Sequence, residues 1–548
     1  MDKIFKEAEC LNNYQQWLEN VTDNDVKKEL IAITNNPKEI ADRFYRELTF
    51  GTGGLRGIIG AGTNRMNIYT VGRATLGLAQ YILKSTVNKK VAIAYDSRHK
   101  SREFAFYAAD ILSAKGIEVY IFKEIMPTPV LSYAVRMLQA GAGIVITASH
   151  NPKEYNGYKV YNEHGCQITD SAATDILSEI EAFDYFTTIK SNQEKIHLLG
   201  EEILNAFLAT IRTFSLNEYT QSIPLKVVYT PLHGTGNIPV RKILSDMGVD
   251  VIVVNEQELP DGDFTTCPYP NPEEKETLSL ALDYGKKHNA DLILATDPDA
   301  DRVGIAVRNE NGEFTLLNGN ETGVLMMSYI LSQKHAKSSL GDKPTIIKTI
   351  VTTDMAFGIA KDYDANVKEV LTGFKYIGEA LDRTKNYIMG LEESYGYLVG
   401  NHARDKDAVS AAMMIVEMCA YYKSQGKTLM QELENLYQKY GFYKTDLQSM
   451  TYGGKEGMSI MASIIDKIRN NPPQMIDGAE VVFTDFSLGV DGLPKSNVLR
   501  FKNDKFRLIV RPSGTEPKLK IYYQVKGETL EEAQEKMQYI KEFAKQIL

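Results

Sequence analysis

The chain has 548 residues, 43% of them hydrophobic and 24% charged, with a formal net charge of −9. That length exceeds one hydrophobic core and predicts roughly three to five domains of about 100 to 200 residues each. The acidic balance, with no Lys/Arg-rich block, excludes a general nucleic-acid binder, and no span is apolar enough to cross a membrane. The N-terminal stretch Met1-Asp2-Lys3-Ile4-Phe5-Lys6-Glu7 interleaves charges with apolar residues, unlike a signal peptide. Cys10, Cys166, Cys267 and Cys419 are scattered with no Cys-x-x-Cys pair, which argues against a zinc site or disulfide framework and for a reducing, cytoplasmic setting.

In chain order, residues 11 to 48 read as amphipathic helices from the spacing of Tyr14, Trp17, Leu18 and Val21, then Ile40, Phe44, Tyr45 and Leu48. Phe50 to Gly57 is glycine-dense, carries Arg56 and reads as a loop able to approach an anion. Val91 to Tyr95 predicts a strand ending at Asp96-Ser97-Arg98, with a helix over 101–115. Gly143 to Ile146 predicts a buried strand that Asn151-Pro152 breaks in a tight turn, leaving Ser149 at its exit. Strand exits are where open α/β sheets bind ligands.

After a helical stretch near 170 to 213 the same grammar returns. Leu225 to Tyr229 runs into Thr230-Pro231-Leu232-His233-Gly234 and a helix over 240–247. Asp291 to Ala295 runs into Thr296-Asp297-Pro298-Asp299-Ala300-Asp301-Arg302. Thr345 to Ile347 opens another unit, and Tyr387 to Leu391 ends at Glu392-Glu393-Ser394. Repeated strands with polar exits predict several related α/β domains. The last hundred or so residues read as a separate α+β domain: a hairpin around Asn503-Asp504, the segment Arg511-Pro512-Ser513-Gly514-Thr515, and a strand over 518–525. A closing helix carries the stripe Leu530, Ala533, Met537, Ile540, Phe543 and Ile547.

Four segments carry chemistry. Asp297, Asp299 and Asp301 alternate along a backbone that Pro298 keeps from being helical, so their carboxylates can converge on a hard divalent ion such as Mg2+. A calcium EF-hand does not fit, because Arg302 and Arg308 stand where that loop needs Gly and Glu. Arg511, Ser513, Gly514 and Thr515, with Lys518 and Lys520 nearby, can surround a phosphate. Glu392 and Ser394 suit sugar hydroxyls, and Lys406 can add a charge; Thr372 lies in the weaker stretch Leu371 to Lys375. Ser149 alone is better read as a capping or turn serine than as a nucleophile. Together the four fit metal-assisted phosphoryl transfer between a serine and a phosphosugar.

On these motifs the chain resembles the α-D-phosphohexomutase superfamily over nearly its whole length, and among its branches the longer bacterial phosphoglucomutases. The resemblance implies that Ser149 of Thr-Ala-Ser-His-Asn-Pro is phosphorylated and joins Asp297, Asp299 and Asp301 as a metal ligand, with Arg302 beside them. It implies sugar contacts at Glu392 and Ser394, although Leu391 separates Gly390 from Glu392, and at Lys406 of Arg404-Asp-Lys-Asp-Ala. Arg511, Ser513, Gly514 and Thr515 match the phosphate loop, with Lys520 where relatives have arginine, and Arg56 and Lys159 match residues that assist proton transfer. The implied fold is four domains around a central cleft, three related α/β domains and a C-terminal α+β domain, with divisions at 1–205, 206–320, 321–440 and 441–548.

The implied reaction interconverts glucose 1-phosphate and glucose 6-phosphate through a phosphoserine, with Mg2+ and glucose 1,6-bisphosphate as activator. Phosphomannomutase, phosphopentomutase, a phosphatase acting through the phosphoserine, and a catalytically silent sugar-phosphate sensor are the alternatives. The metal loop is expected to face solvent in the cleft.

Overall fold

The computed structural model describes residues 6–51, 53–218, 222–452, 457–490, 492–513 and 518–548; Gly514 and Thr515 of the expected phosphate loop lie outside them. Helices Glu7–Asn20, Asn24–Ala32 and Pro37–Phe44 form the amphipathic preface. They close over Trp17, whose indole meets the rings of Phe44, Tyr69, Tyr185 and Phe186 edge-on or tilted.

Three sheets repeat one plan. In the first, Lys90–Tyr95 lies between parallel neighbours Glu118–Phe122 and Ala142–Ile146, and Ala142–Ile146 then pairs antiparallel with Tyr155–Asn162. The second sets Lys226–Thr230 between Asp250–Val253 and Leu292–Thr296, and Leu292–Thr296 turns back into Val303–Arg308. In the third, Thr345–Thr349 lies between Asn366–Val370 and Tyr387–Leu391, followed by the returning strand Tyr397–Val399. The inner parallel strands are near-continuous apolar runs because helices cover both faces. Strand Ala142–Ile146 is buried at every position, as is Leu292–Thr296.

The connection from the last parallel strand to its antiparallel return therefore falls at the same place in all three sheets. Those connections are 147–154, 297–302 and 392–396, which hold Ser149, the three aspartates and Glu392-Ser394. Each contains a non-glycine residue in the left-handed region: Ser149 at φ 53°, Ala300 at φ 49° and Tyr395 at φ 63°. Such a conformation is costly unless the surroundings enforce it. One apolar cluster, including Val145, Leu294, Met389 and the buried helix Ala408–Ser424, runs through all three sheets and fixes their exits relative to one another.

The fourth sheet is wholly antiparallel, in the order Phe442–Thr451, Lys518–Gly527, Phe506–Pro512, Leu499–Lys502, Val482–Asp485. Helices Gly457–Asn470 and Leu530–Ile547 cover it. Of the closing stripe, Ala533, Met537 and Ile540 are buried, whereas Leu530 is 46% exposed because it opens the helix at its first turn. No described helix is long and apolar enough to cross a membrane.

Two expectations are corrected. Gly54–Ile58 is an edge strand, paired antiparallel with Tyr155–Asn162, and not a loop. Its glycine is there for close approach: Gly54 has φ 125°, and a Cβ would lie 1.8 Å from the Tyr158 carbonyl oxygen. The stretch near 170 to 213 is two helices, Asp170–Ile180 and Glu202–Arg212, separated by the short strand Ile196–Leu199, which extends the first sheet beyond Glu118–Phe122.

Gly54→Ala is expected to detach the edge strand. Amide exchange over Leu55 to Ile58 should then rise at least about tenfold, equivalent to about 1.4 kcal/mol of local opening. Unchanged exchange would show that the strand does not depend on this close approach.

Candidate active site

Three strand exits and one register bring the site together. On the first sheet, Arg56 pairs with Gly157 and Lys159 with Gly54, so both long side chains project from the same face of adjacent strands. Ser149 follows strand Ala142–Ile146; its N–H donates to Thr147 Oγ1 at 2.8 Å, which holds the left-handed turn. Its hydroxyl donates to Asp297 Oδ2 at 2.7 Å and lies 3.2 Å from His150 Nδ1. Burial and the charges of Arg302 and Arg56 hold His150 well below the ordinary imidazole pKa, so the ring is neutral near pH 7.

Asp297, Asp299 and Asp301 converge as the sequence predicts, with one carboxylate oxygen of each within 4.8 Å of the others. The expectation that this loop faces solvent is wrong. Asp297 and Asp299 are 0% exposed and Asp301 1%, and two lysines from distant segments close over Asp299 and Asp301. Lys159 Nζ donates to Asp299 Oδ2 at 2.7 Å and to Asp301 Oδ2 at 3.4 Å, while Lys406 Nζ lies 3.1 Å from Asp301 Oδ2. The backbone N–H groups of Asp301 and Arg302 both donate to Asp297 Oδ1, at 3.0 Å each.

Charge is distributed unequally within the trio. Burial and the two neighbouring carboxylates push Asp297 well above the ordinary carboxylate range. Burial acts the same way on Asp299, but the Lys159 ammonium outweighs it and holds Asp299 below that range. Burial also opposes charge on Lys159 and Lys406, and the carboxylates they face outweigh it, raising both above the usual lysine value.

The trio meets the requirements of a metal site. Asp299 Oδ1 and Asp301 Oδ1 are buried with no hydrogen-bond partner among the described residues, and an all-oxygen donor set suits a hard divalent cation. Unpaired buried oxygens of this kind call for a ligand. Arg302 adjoins the trio, its Nε 3.8 Å from Asp301 Oδ1, and its Nη1 reaches on to Glu273 Oε1 at 2.6 Å.

At the third exit Glu392 is buried, and its Oε1 accepts from Gly373 N–H at 3.0 Å. Burial, with Glu393 adding and Lys406 opposing, pushes Glu392 up to about 7. Ser394 is partly exposed in the same turn. Lys406, expected at the sugar, extends from the loop before helix Ala408–Ser424 to the aspartates, and Asp405 Oδ1 holds its ammonium at 3.1 Å.

A separate cavity of about 550 Å3 is lined by Thr372, Lys375, Arg511, Ser513 and Lys520. Arg511 and Lys520 are cross-strand partners. Burial and the adjacent Arg511 and Lys518 lower the pKa of Lys520, a repulsion that a bound anion relieves. The Thr372 hydroxyl is buried with no partner among the described residues.

The structure adds groups that motif reading missed. Thr128 donates its hydroxyl to Asp299 Oδ2 at 2.9 Å, and its N–H to the Asp299 carbonyl at the same distance. Tyr161 donates to Asp405 Oδ2 at 2.7 Å, tying the first sheet to the lysine loop. Lys375 lines the cavity and pairs with Asp170 at 2.9 Å. Thr128 and Tyr161 carry no local signature; Lys375 stands one residue after Phe374 in a stretch whose function shows only once the cavity is formed.

Family models for phosphoglucomutase/phosphomannomutase match along the chain: α/β/α domain I at residues 47–185, domain II at 205–312, domain III at 318–440 and the C-terminal domain at 465–541. The chain is 37% identical to a phosphoglucomutase of Staphylococcus aureus (strain MRSA252) over 543 residues, covering 95% of this chain and 97% of that protein. It is 37% identical to that of Staphylococcus haemolyticus (strain JCSC1435) over 511 residues, 89% and 92%. In fold it is similar to a putative phosphomannomutase from Thermus thermophilus, with a TM-score of 0.68 at 21% identity over 90% of this chain and 99% of that one. The chain belongs to the phosphoglucomutase/phosphomannomutase family.

Proposed function

We propose that the chain is an intramolecular phosphotransferase that interconverts glucose 1-phosphate and glucose 6-phosphate in the cytoplasm, through a phosphoserine at Ser149 and glucose 1,6-bisphosphate. The observation that carries this is the placement of the Ser149 hydroxyl 2.7 Å from Asp297, beside a buried carboxylate trio, together with a separate cationic cavity lined by Arg511 and Lys520. The choice of glucose is supported by the phosphoglucomutase relatives that match nearly end to end.

In this reading Ser149, Asp297, Asp299 and Asp301 hold Mg2+. When bound, the metal polarises phosphoryl oxygens and spreads the charge that develops on them. The phosphoryl group moves from Ser149 Oγ to a hexose hydroxyl: the serine P–O bond breaks, the sugar P–O bond forms, and the proton the hydroxyl gives up ends on Ser149 Oγ, which is left as a free hydroxyl. The bisphosphate then turns over, and its other phosphoryl group returns to Ser149.

Arg511, Ser513, Lys520 and Thr372, with Gly514 and Thr515, hold the phosphate that is not reacting. Glu392 and Ser394 take the sugar hydroxyls, and Arg302 stays paired with Glu273 beside them. Lys159, held as an ammonium by its carboxylates, suits proton donation or charge screening and does not begin as a base. Arg56, which donates to Asn151 Oδ1 at 3.2 Å from the cleft side, shares that role.

Purified protein primed with glucose 1,6-bisphosphate is expected to convert glucose 1-phosphate with a higher kcat/KM than mannose, ribose or glucosamine 1-phosphate. Peptide mass spectrometry during turnover should find phosphate on Ser149, and Ser149→Ala should lose at least about 1000-fold in kcat, as losses of an activated nucleophile do. Phosphate only on another residue, or near-native turnover by the mutant, would refute the reading. Mannose 1-phosphate as the better substrate would keep the mechanism and change the sugar.

The metal assignment predicts that Mg2+ raises the Tm of the wild type by binding the folded state. In Asp297→Asn that shift should vanish. An equal Mg2+ shift in both proteins would place the metal elsewhere.

Arg511→Ala removes a charge-assisted contact worth about 1.5 to 3 kcal/mol, so kcat/KM should fall at least about tenfold. An unchanged kcat/KM would place the remote phosphate outside this cavity.

A further inference from the structure

Arg98 closes the polar exit Asp96-Ser97-Arg98 of strand Lys90–Tyr95, which runs beside the strand that ends at the serine loop. Its side chain is buried, with the whole residue 3% exposed, and it spends its donors on the backbone of that loop. Nη2 donates to the carbonyls of Ser149, at 2.6 Å, and Asn151; Nη1 donates to those of Pro152 at 2.8 Å and Tyr155 at 3.2 Å. The loop's own backbone contributes the bonds Asn151 N–H to Ala148 and Tyr155 N–H to Pro152, both 3.1 Å. One guanidinium thus takes four carbonyls within seven residues, bonds roughly twice as strong as neutral ones because the donor is charged.

The guanidinium is itself fixed from two sides. Asp96 Oδ2 lies 3.2 Å from Nε, and Asp96 Oδ1 accepts from Arg98 N–H at 3.0 Å and from Ser101 Oγ at 2.6 Å. The ring of Phe264, from the second sheet's unit, covers it with its centroid 4.9 Å from Cζ. A planar fork clamped in this way sets direction as well as charge, which a lysine in its place does not do.

We propose that Arg98 is a positioning residue for phosphoryl transfer. By gripping the carbonyl of Ser149 and three carbonyls beyond it, Arg98 enforces the left-handed conformation at Ser149 and keeps Oγ aimed at the aspartates, whether or not it carries phosphate. The inference rests on Ser149 being the phosphoryl carrier. Arg98 lies behind the loop, on its backbone side, and has no part in the cavity that includes Arg511 and Lys520. Its loss is therefore read in turnover and not in substrate affinity.

The test compares wild type with Arg98→Lys, which keeps the charge and loses the fork. The readouts are kcat and KM for glucose 1-phosphate, Tm, and the rate at which glucose 1,6-bisphosphate phosphorylates Ser149 by mass spectrometry. Misplacement of a reacting atom by about 1 Å costs about 100-fold, so kcat and the phosphorylation rate should fall by about that factor, with KM within about threefold. Arg98→Gly should regain at least about tenfold in kcat on addition of guanidinium ion, which a purely structural role would not give.

A folded Arg98→Lys with native kcat, or one whose loss lies wholly in KM, overturns the proposal. Should Arg98→Lys fail to fold, Asp96→Asn decides: it leaves the carbonyl contacts and frees the guanidinium, so kcat should fall about tenfold at unchanged KM, and native kcat overturns the proposal. Wild-type protein without mutase activity would overturn the Ser149 reading and this inference with it, whereas an active wild type beside an equally active, folded Arg98→Lys counts against Arg98 alone.

Discussion

Three carboxylates within 4.8 Å of one another, all out of solvent, are the constraint to which the rest of the structure answers. Left alone they repel strongly, since burial strengthens every charge interaction that water would screen. The compensation comes from a distance in sequence: Lys159 from the first sheet, Lys406 from the loop after the third, and the Thr128 hydroxyl from a helix of the first. The trio is thereby a junction between units as well as a site. Tyr161 to Asp405 and Arg404 N–H to Ser132 Oγ, at 2.7 and 2.8 Å, reinforce the same junction from behind.

Much of this was legible in the sequence, for physical reasons that differ by element. Parallel strands covered on both faces must be apolar throughout, so Gly143 to Ile146 and Asp291 to Ala295 announce themselves, and the polar residues that follow mark their exits. The equivalence of the three exits is a property of topology, visible once strand order is known. Gly54–Ile58 was hidden because its pairing is carried by the backbone and its glycine by a close approach to Tyr158, neither of which leaves an apolar pattern. Ile196–Leu199 was hidden because a four-residue edge strand with Leu198 exposed has too little alternation to separate it from helix.

At the site, residue types and spacing singled out the aspartates, which converge, Ser149, which lies against Asp297, and Arg511, which lines the cavity, because each motif gathers its chemistry within a few residues. What spacing could not convey was burial. The aspartate loop reads as solvent-facing from its own composition, and groups far off in sequence make it otherwise, among them Lys159 and Lys406, 140 residues before and 105 after the nearest aspartates they touch. Arg98 is the same case in stronger form: an arginine in a polar turn has no signature that distinguishes a surface charge from a clamp on four carbonyls.

The C-terminal unit presents the complementary problem, since a chain with net charge −9 has to receive a dianion. Charges more than about 8 Å away are screened at physiological salt, so the local arrangement decides. Here the fourth sheet brings Arg511 and Lys520 side by side on adjacent strands, a pairing that destabilises the empty sheet and favours an anion against it. The sheet tolerates this because it is anchored elsewhere. Arg507 donates to the Val351 and Thr352 carbonyls and to Asp354, Lys502 reaches Asp354 at 2.9 Å, and Arg500 and the fully buried Lys348 share Glu369 at 3.3 and 2.7 Å. Those contacts join the fourth sheet to the third at one edge and leave the Arg511 end facing the cavity. The cationic wall of that cavity and the aspartate trio are thus held by separate networks, the first by anchors to the third sheet and the second by lysines of its own, so that neither charge has to be offset by the other.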